Sequence, residues 1–142
     1  NIALGENAMN ALTTGICNVA IGTDAMGAAT TGCRNVAIGE LAMGACITTG
    51  QSNIAIGTTT MDALTSGAEN IALGTNALGI LETGQENIAI GSGAADALVG
   101  GHTNVAIGVN ALGQATTGCK NIAIGEGAAG GATFTGKCRR IR

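Results

Sequence analysis

Proline, tryptophan and tyrosine are absent from this 142-residue chain, and Phe134 is its only aromatic residue. Aromatic side chains supply large units of buried area in most globular cores. The apolar residues here are almost all Ala, Ile, Leu, Val and Met, which fill a thin core better than a thick one. The composition therefore disfavours an ordinary compact domain, although 46% of the residues are hydrophobic.

Long apolar runs are also missing, because glycine or a polar residue interrupts each run after about four positions. A membrane-spanning helix needs roughly 20 consecutive apolar residues, so we expect no membrane span. Positive charge is scarce too, since residues 1–136 carry only Arg34 and Lys120 against nine acidic residues. Nucleic-acid binding needs clustered cations that neutralise phosphates. Nucleic acid is therefore not an expected partner.

The last six residues, 137–142, form a basic tail with Lys137, Arg139, Arg140 and Arg142. Such a tail is a junction, a contact with an acidic partner or a solvated end. At the other end, Asn1 rather than Met begins a repeat in full register. We therefore expect the chain to be part of a longer protein.

One five-residue sequence recurs eight times: Asn, then Ile or Val, Ala, Ile or Leu, and Gly. The copies begin at Asn1, Asn18, Asn35, Asn53, Asn70, Asn87, Asn104 and Asn121. The interval between copies is constant, except that one extra residue lies between the third copy and the fourth. Repetition at a fixed period is typical of proteins whose repeats stack on one another.

Each copy begins as a strand, in which the second and fourth side chains point one way and the Ala at the third place points the other. Glycine ends the strand, a second short apolar piece follows, and a turn such as Thr83-Gly84 closes most copies. Seventeen residues are too few for a strand, a helix and two connections. The sequence therefore predicts an all-β fold, a parallel β-solenoid (β-roll) of eight coils over residues 1–136.

Stacking places equivalent residues in columns along a rod on the order of 38 Å long. We expect an amide ladder from the eight asparagines and a narrow core from the Ile, Val and Leu columns. The small Ala at the third place would allow another chain to approach closely. The second apolar piece fits either an extended corner or a single helical turn.

The repeated pattern N-[IV]-A-[IL]-G-x-x-A resembles the head repeats of YadA-like trimeric autotransporter adhesins. It resembles still more the related repeats of phage tail fibres, where the same pattern alternates with a Thr-Gly turn. The resemblance covers residues 1–136 and implies a trimeric, elongated structure without catalysis. We therefore expect a structural fibre segment of a phage tail fibre or bacterial surface adhesin. Its location would be extracellular or on the virion surface, and its partners would be its own copies and a host-surface receptor.

Two other functions fit the repeat. A self-assembling extracellular filament could form if coils stacked end to end through exposed sheet edges. An ice-binding solenoid would need a regular array of threonines on one face. Paired threonines such as Thr13 and Thr14 begin such an array, but Val99 and Gly100 interrupt it.

Cysteines and a glycine motif are the remaining candidates for chemistry. Cys17 and Cys33 lie on neighbouring coils, as do Cys119 and Cys138, and none of the five cysteines has the close spacing of a zinc site. These four residues either form disulfides between coils or between chains, or remain thiols whose small side chains fill the corners of the coils. An odd count leaves at least one thiol free or paired with another molecule.

The segment from Gly125 to Gly130 matches G-x-G-x-x-G, but a dinucleotide site would also need a βαβ unit and a later acidic residue. His102, the only histidine, lies on a predicted loop. The acidic residues are scattered over several columns and indicate a solvated surface. We expect no enzyme activity, no cofactor and no metal site.

Overall fold

The computed structural model describes residues 1–45 and 48–131, and these contain eight strands and no helix. The strands are β1 (Ile2–Leu4), β2 (Val19–Ile21), β3 (Val36–Ile38), β4 (Ile54–Ile56), β5 (Ile71–Leu73), β6 (Ile88–Ile90), β7 (Val105–Ile107) and β8 (Ile122–Ile124). They form one parallel sheet in chain order. The predicted all-β parallel solenoid is confirmed. Cys46, Phe134, Cys138 and the basic tail lie outside the described residues.

Strand register keeps every place of the repeat in its own column. Ala72 of β5 pairs with Ala89 of β6, a step of one coil. Between β3 and β4 the step is longer by the inserted residue, yet Ala37 still pairs with Ala55. The extra residue of the third copy is therefore accommodated outside the sheet, and it does not shift the strand columns.

In each strand the alanine faces the interior of the coil, and the two larger residues face outward. The Ala column from Ala20 to Ala123 is 0–1% exposed, whereas most of its Ile, Val and Leu neighbours are half-buried. The prediction that the Ile, Val and Leu columns form the core is therefore wrong for the strands, whereas the Leu column of the second apolar piece (Leu64, Leu81 and Leu98) is fully buried as expected. The related prediction, that the Ala column faces another chain, is wrong for the same reason.

Larger side chains reach the core from the second apolar piece of each coil. Met26, Met43, Met61, Leu78 and Leu112 are fully buried in the same cluster as the strand alanines. A coil this short encloses a small cross-section, so a long side chain from one wall leaves room for only a methyl group on the other. This complementarity explains why Ala occupies the third place in all eight copies.

The second apolar piece is a series of turns rather than an extended corner or a helical turn. Asn76 and Leu78 have φ values of 57° and 51°, and equivalent residues repeat this left-handed backbone in the other described coils. Because every second residue of this segment is left-handed, the segment cannot continue as an α-helix. It bends the chain back under the sheet and directs the side chain of Leu78 inward.

Candidate interaction face

Two outward columns of branched apolar side chains cover the outer side of the sheet. They comprise the second and fourth places of every coil: Ile2, Leu4, Val19, Ile21, Val36, Ile38, Ile54, Ile56, Ile71, Leu73, Ile88, Ile90, Val105, Ile107, Ile122 and Ile124. We call this surface the apolar face. Its position follows directly from strand alternation, because the intervening Ala points into the coil.

Members of the apolar face expose a substantial part of their surface. Ile56 and Ile90 in the middle of the rod are each 38% exposed, and Leu4 and Ile124 near its described ends are 65% and 62% exposed. Eight strands about 4.8 Å apart give the face a length of roughly 34 Å and, at about 10 Å wide, an area of roughly 350 Å². The largest apolar patch of a typical monomer is of similar size and is often a functional surface.

Asparagine side chains hold the strands in register behind this face. The Nδ2 of Asn70 donates hydrogen bonds to Oδ1 of Asn53 (3.0 Å) and to the carbonyl of Gly84 (2.8 Å). The backbone N–H of Asn87 donates to Oδ1 of Asn70 (3.0 Å). Because Gly84 belongs to the turn that ends the same coil, Asn70 both closes its coil and joins it to its neighbours. A fully satisfied buried ladder of this kind makes the sheet rigid.

The other asparagines repeat this arrangement along the rod. Equivalent bonds involve Asn1, Asn18, Asn35, Asn53, Asn87, Asn104 and Asn121. From Asn18 onward these residues are at most 1% exposed. Each buried side-chain nitrogen or oxygen of the described residues has a hydrogen-bond partner. The sequence pattern located this ladder, whereas it placed the apolar face on the wrong side of the sheet.

Polar columns border the apolar face on both sides. The leading rim consists of the residues just before each Asn: Cys17, Arg34, Ser52, Glu69, Glu86, Thr103 and Lys120. The trailing rim consists of the residues just after each strand-ending Gly: Glu6, Thr23, Glu40, Thr58, Thr75, Ser92, Val109 and Glu126. Nearly all these side chains are exposed, and apart from Cys17 and Val109 they are polar or charged, so the face is an apolar stripe between two mainly polar columns. Protein interfaces commonly have this arrangement of apolar centre and polar rim.

Backbone hydrogen bonds fix the rims as firmly as the strands. On the leading rim, the N–H of Glu69 donates to the carbonyl of Gln51 (3.1 Å) in the preceding coil. Beside the trailing rim, the N–H of Asn76 donates to the carbonyl of Thr58 (3.0 Å). The same bonds recur from coil to coil, so the rim side chains project from preorganised positions.

Threonine hydroxyls near the coil-closing turns are partly engaged within the chain. Oγ1 of Thr13 donates to the carbonyl of Thr30 (3.0 Å), and Oγ1 of Thr65 donates to the carbonyl of Glu82 (2.9 Å). Oγ1 of Thr49 likewise donates to the carbonyl of Thr65 (3.1 Å). A threonine array for ice needs hydroxyls that face the solvent, so these contacts weigh against ice binding.

The three described cysteines are free thiols. Cys17 is exposed, Cys33 and Cys119 are partly buried, and the Sγ of Cys33 donates to the carbonyl of Thr31 (3.3 Å). Cys17 lies on the leading rim, whereas Cys33 lies one place before it in the repeat. The thiols therefore lie on or beside the leading rim. The suggested partner of Cys119, Cys138, lies outside the described residues.

The remaining polar candidates do not come together as a chemical site. His102 is exposed in an open groove of about 320 Å³ that Glu86 and Thr103 also line. Gly125 and Gly127 belong to a coil turn with φ values of 124° and 61°, and no helix follows within the described residues. Residues 1–45 and 48–131 contain no group of three or more His, Cys, Asp or Glu able to hold a metal ion.

A second open groove, of about 400 Å³, lies among the turns of the last coils. Asp96 and Asn110 line it, and burial raises the pKa of the Asp96 carboxyl above its ordinary value. Hydrogen bonds from the backbone N–H groups of Ala97 and Asp96 oppose this shift. Asp96 is the one acidic residue among the described residues that line this groove, so the groove does not assemble an acid–base pair.

Among the described residues, no helix is long and apolar enough to cross a membrane. Comparisons of the chain with protein-family models, with curated proteins and with solved structures found no match. The function must therefore be inferred from the molecule itself, and among the described residues the apolar face extends along all eight strands.

Proposed function

We propose that the chain is a structural fibre segment whose copies associate through the apolar face, as part of a phage tail fibre or a bacterial surface adhesin. The observation that carries this proposal is the outward position of two continuous columns of Ile, Val and Leu along the described sheet, in which every side chain is half-buried or exposed and none is buried. Contact between apolar side chains and water is unfavourable. Covering the apolar face with further copies removes these side chains from water.

The trimer implied by the resemblance suits the shape of the face. A rod with one straight apolar stripe can pack around an axis parallel to its length, with each copy contacting two others. Closed cyclic symmetry of this kind is common among homo-oligomers and covers every stripe. The thin, alanine-rich interior gives each coil little apolar area of its own, so association would add stability to the fibre.

Attachment to a host or another surface, with an extracellular or virion location, belongs to this proposal as the role of the whole fibre. The described coils would supply a rigid spacer of defined length. Their hydrogen-bonded Asn ladder and regular register suit a spacer better than an enzyme. A receptor, on this view, meets the fibre outside the apolar face, because the face is occupied by neighbouring copies.

Solution mass and shape test the association directly. Light scattering coupled to small-angle X-ray scattering should give three times the 13.7 kDa chain mass and an elongated particle. Replacing Ile54, Ile71 and Ile88 together by Thr keeps β-branched residues in the strands while making the face polar. This variant should raise the concentration at which the trimer dissociates by roughly 100-fold or more.

A matched control is Ile80→Thr, because Ile80 is 47% exposed but lies in a turn away from the sheet. It should leave the mass unchanged. A wild-type monomer at high concentration would contradict the proposal, and open-ended polymers would favour the filament instead. Binding to cells should be measured only after the trimer has been observed.

A further inference from the structure

Charged residues are distributed unequally between the two rims of the apolar face. The only cations on the leading rim are Arg34 and Lys120. In both cases the trailing-rim residue of the adjoining strand is a glutamate, Glu40 beside β3 and Glu126 beside β8. All four side chains are exposed.

The two members of each pair cannot meet within one chain. Arg34 and Glu40 lie at opposite ends of β3, roughly 15–20 Å apart along an extended backbone. Lys120 and Glu126 lie at opposite ends of β8 in the same way. Each cation therefore lies at the same height on the rod as its glutamate, but across the apolar face from it.

Where the leading rim is acidic, the trailing rim is neutral. Glu69 shares its level with Thr75, and Glu86 shares its level with Ser92. No described level places two charges of the same sign on opposite rims. Like charges brought together at an interface cost affinity and exclude that alignment, so this distribution distinguishes one alignment of neighbouring chains from the others.

We propose that the copies pack parallel and in register, so that Arg34 and Lys120 of one chain pair with Glu40 and Glu126 of the next. This inference rests on the proposed association through the apolar face. Rotation about an axis parallel to the rod brings the leading rim of each copy against the trailing rim of its neighbour at equal height. An antiparallel partner, or one displaced by a coil, loses both pairs. The apolar face supplies the affinity, and the rim charges select the parallel orientation and the register of the copies.

A charge-swap cycle tests the pairing. Arg34→Glu and Glu40→Arg should each raise the dissociation concentration by about tenfold in low salt, because each places like charges together at every interface. The double variant Arg34→Glu with Glu40→Arg should return it to near the wild-type value. Sedimentation equilibrium gives the dissociation concentration, and circular dichroism verifies that each variant keeps its strands.

Glu69→Arg is the control, because it reverses a charge on the same rim opposite the neutral Thr75, and it should not weaken association. If the wild type associates but the double swap fails to restore affinity, the register is wrong while association through the face stands. If the wild type stays monomeric, both the proposed function and the register are wrong. Residues 34 and 40 are too far apart to pair within one chain. Recovery of affinity in the double variant would therefore come from pairing between chains.

Discussion

Glycine at the fifth place of the repeat has a backbone that other residues rarely adopt. Gly74, for example, has a φ of +128°, and a Cβ there would lie 2.7 Å from the carbonyl carbon and oxygen of Gly91 in the next coil. The equivalent glycines of neighbouring coils stack in the same way, so their backbones touch along the rod. The column therefore requires glycine both for its dihedral angle and for its close contact.

Gly74→Ala should lower the free energy of unfolding by on the order of 3 kcal/mol, through backbone strain and the clash with Gly91. Gly100→Ala is the matched control, since its nearest contact would be Oγ1 of Thr83 at 3.4 Å and its φ lies outside the left-handed region. It should change stability by about 0.5 kcal/mol or less. Urea unfolding at one fixed protein concentration gives both values, and equal losses would contradict the structural reason.

Strand alternation could be predicted from sequence, but the identity of the inner side could not. The pattern Ile-Ala-Leu in β5 requires that Ile71 and Leu73 lie opposite Ala72. General hydrophobicity favours the larger residues inside, and that reasoning fails here. The signal that points the other way is uniformity: the third place is Ala in every copy, whereas the second and fourth places vary. A place that accepts only one small residue is typical of a tightly filled interior.

Adding volume at the two sides of the sheet should therefore have unequal effects. Ala72→Val forces two more methyl groups into a fully buried column and should cost about 1–3 kcal/mol of unfolding free energy. Ala68→Val adds the same volume at a half-buried bridge position, where the first coil carries Ile16. Its effect should stay within about 0.5 kcal/mol. Thermal unfolding followed by circular dichroism compares the two, and a harmless Ala72→Val would overturn the assignment of the interior.

The turn segment of each coil was harder to predict than the strand. Asn7, Asn76 and Asn110 occupy a left-handed position that asparagine tolerates well. Two places later in the repeat, however, residues such as Met26 and Leu78 also have positive φ, and their side chains do not favour that conformation. Their conformation is imposed by the need to close a coil and to bury the side chain, which is a tertiary effect rather than a local preference.

At the scale of the whole molecule, the period of the repeat determines most of the architecture. Eight copies of one pattern predicted eight parallel strands, their order and their columns, because stacking identical coils leaves few alternatives. The interaction face depends in addition on which side each column occupies, and this needed the three-dimensional packing. The role of the rim charges could be proposed only after the apolar face was known, because Arg34 and Glu40 lie on opposite sides of that face and can pair only between copies.

Modular stacking predicts that a complete coil can be removed. Deleting residues 70–86 joins Glu69 to Asn87, which then takes the place of Asn70 in the ladder and pairs β6 with β4. The shortened chain should keep cooperative unfolding and lose about 4.8 Å of length by small-angle scattering. Deleting only residues 70–78 misaligns every later column and should abolish cooperative unfolding. If both deletions behave alike, coils are not independent modules.

The direction of the inter-coil hydrogen bonds has a mechanical consequence. In a parallel sheet whose strands run across the rod, these bonds lie along the rod, so tension on a fibre pulls directly against them. When one coil detaches from the sheet, the length that it contributes to the fibre increases from about 4.8 Å to the length of its extended chain, roughly 56 Å. A fibre of such coils would lengthen in equal steps under load and dissipate work at each step, without the rupture of a covalent bond.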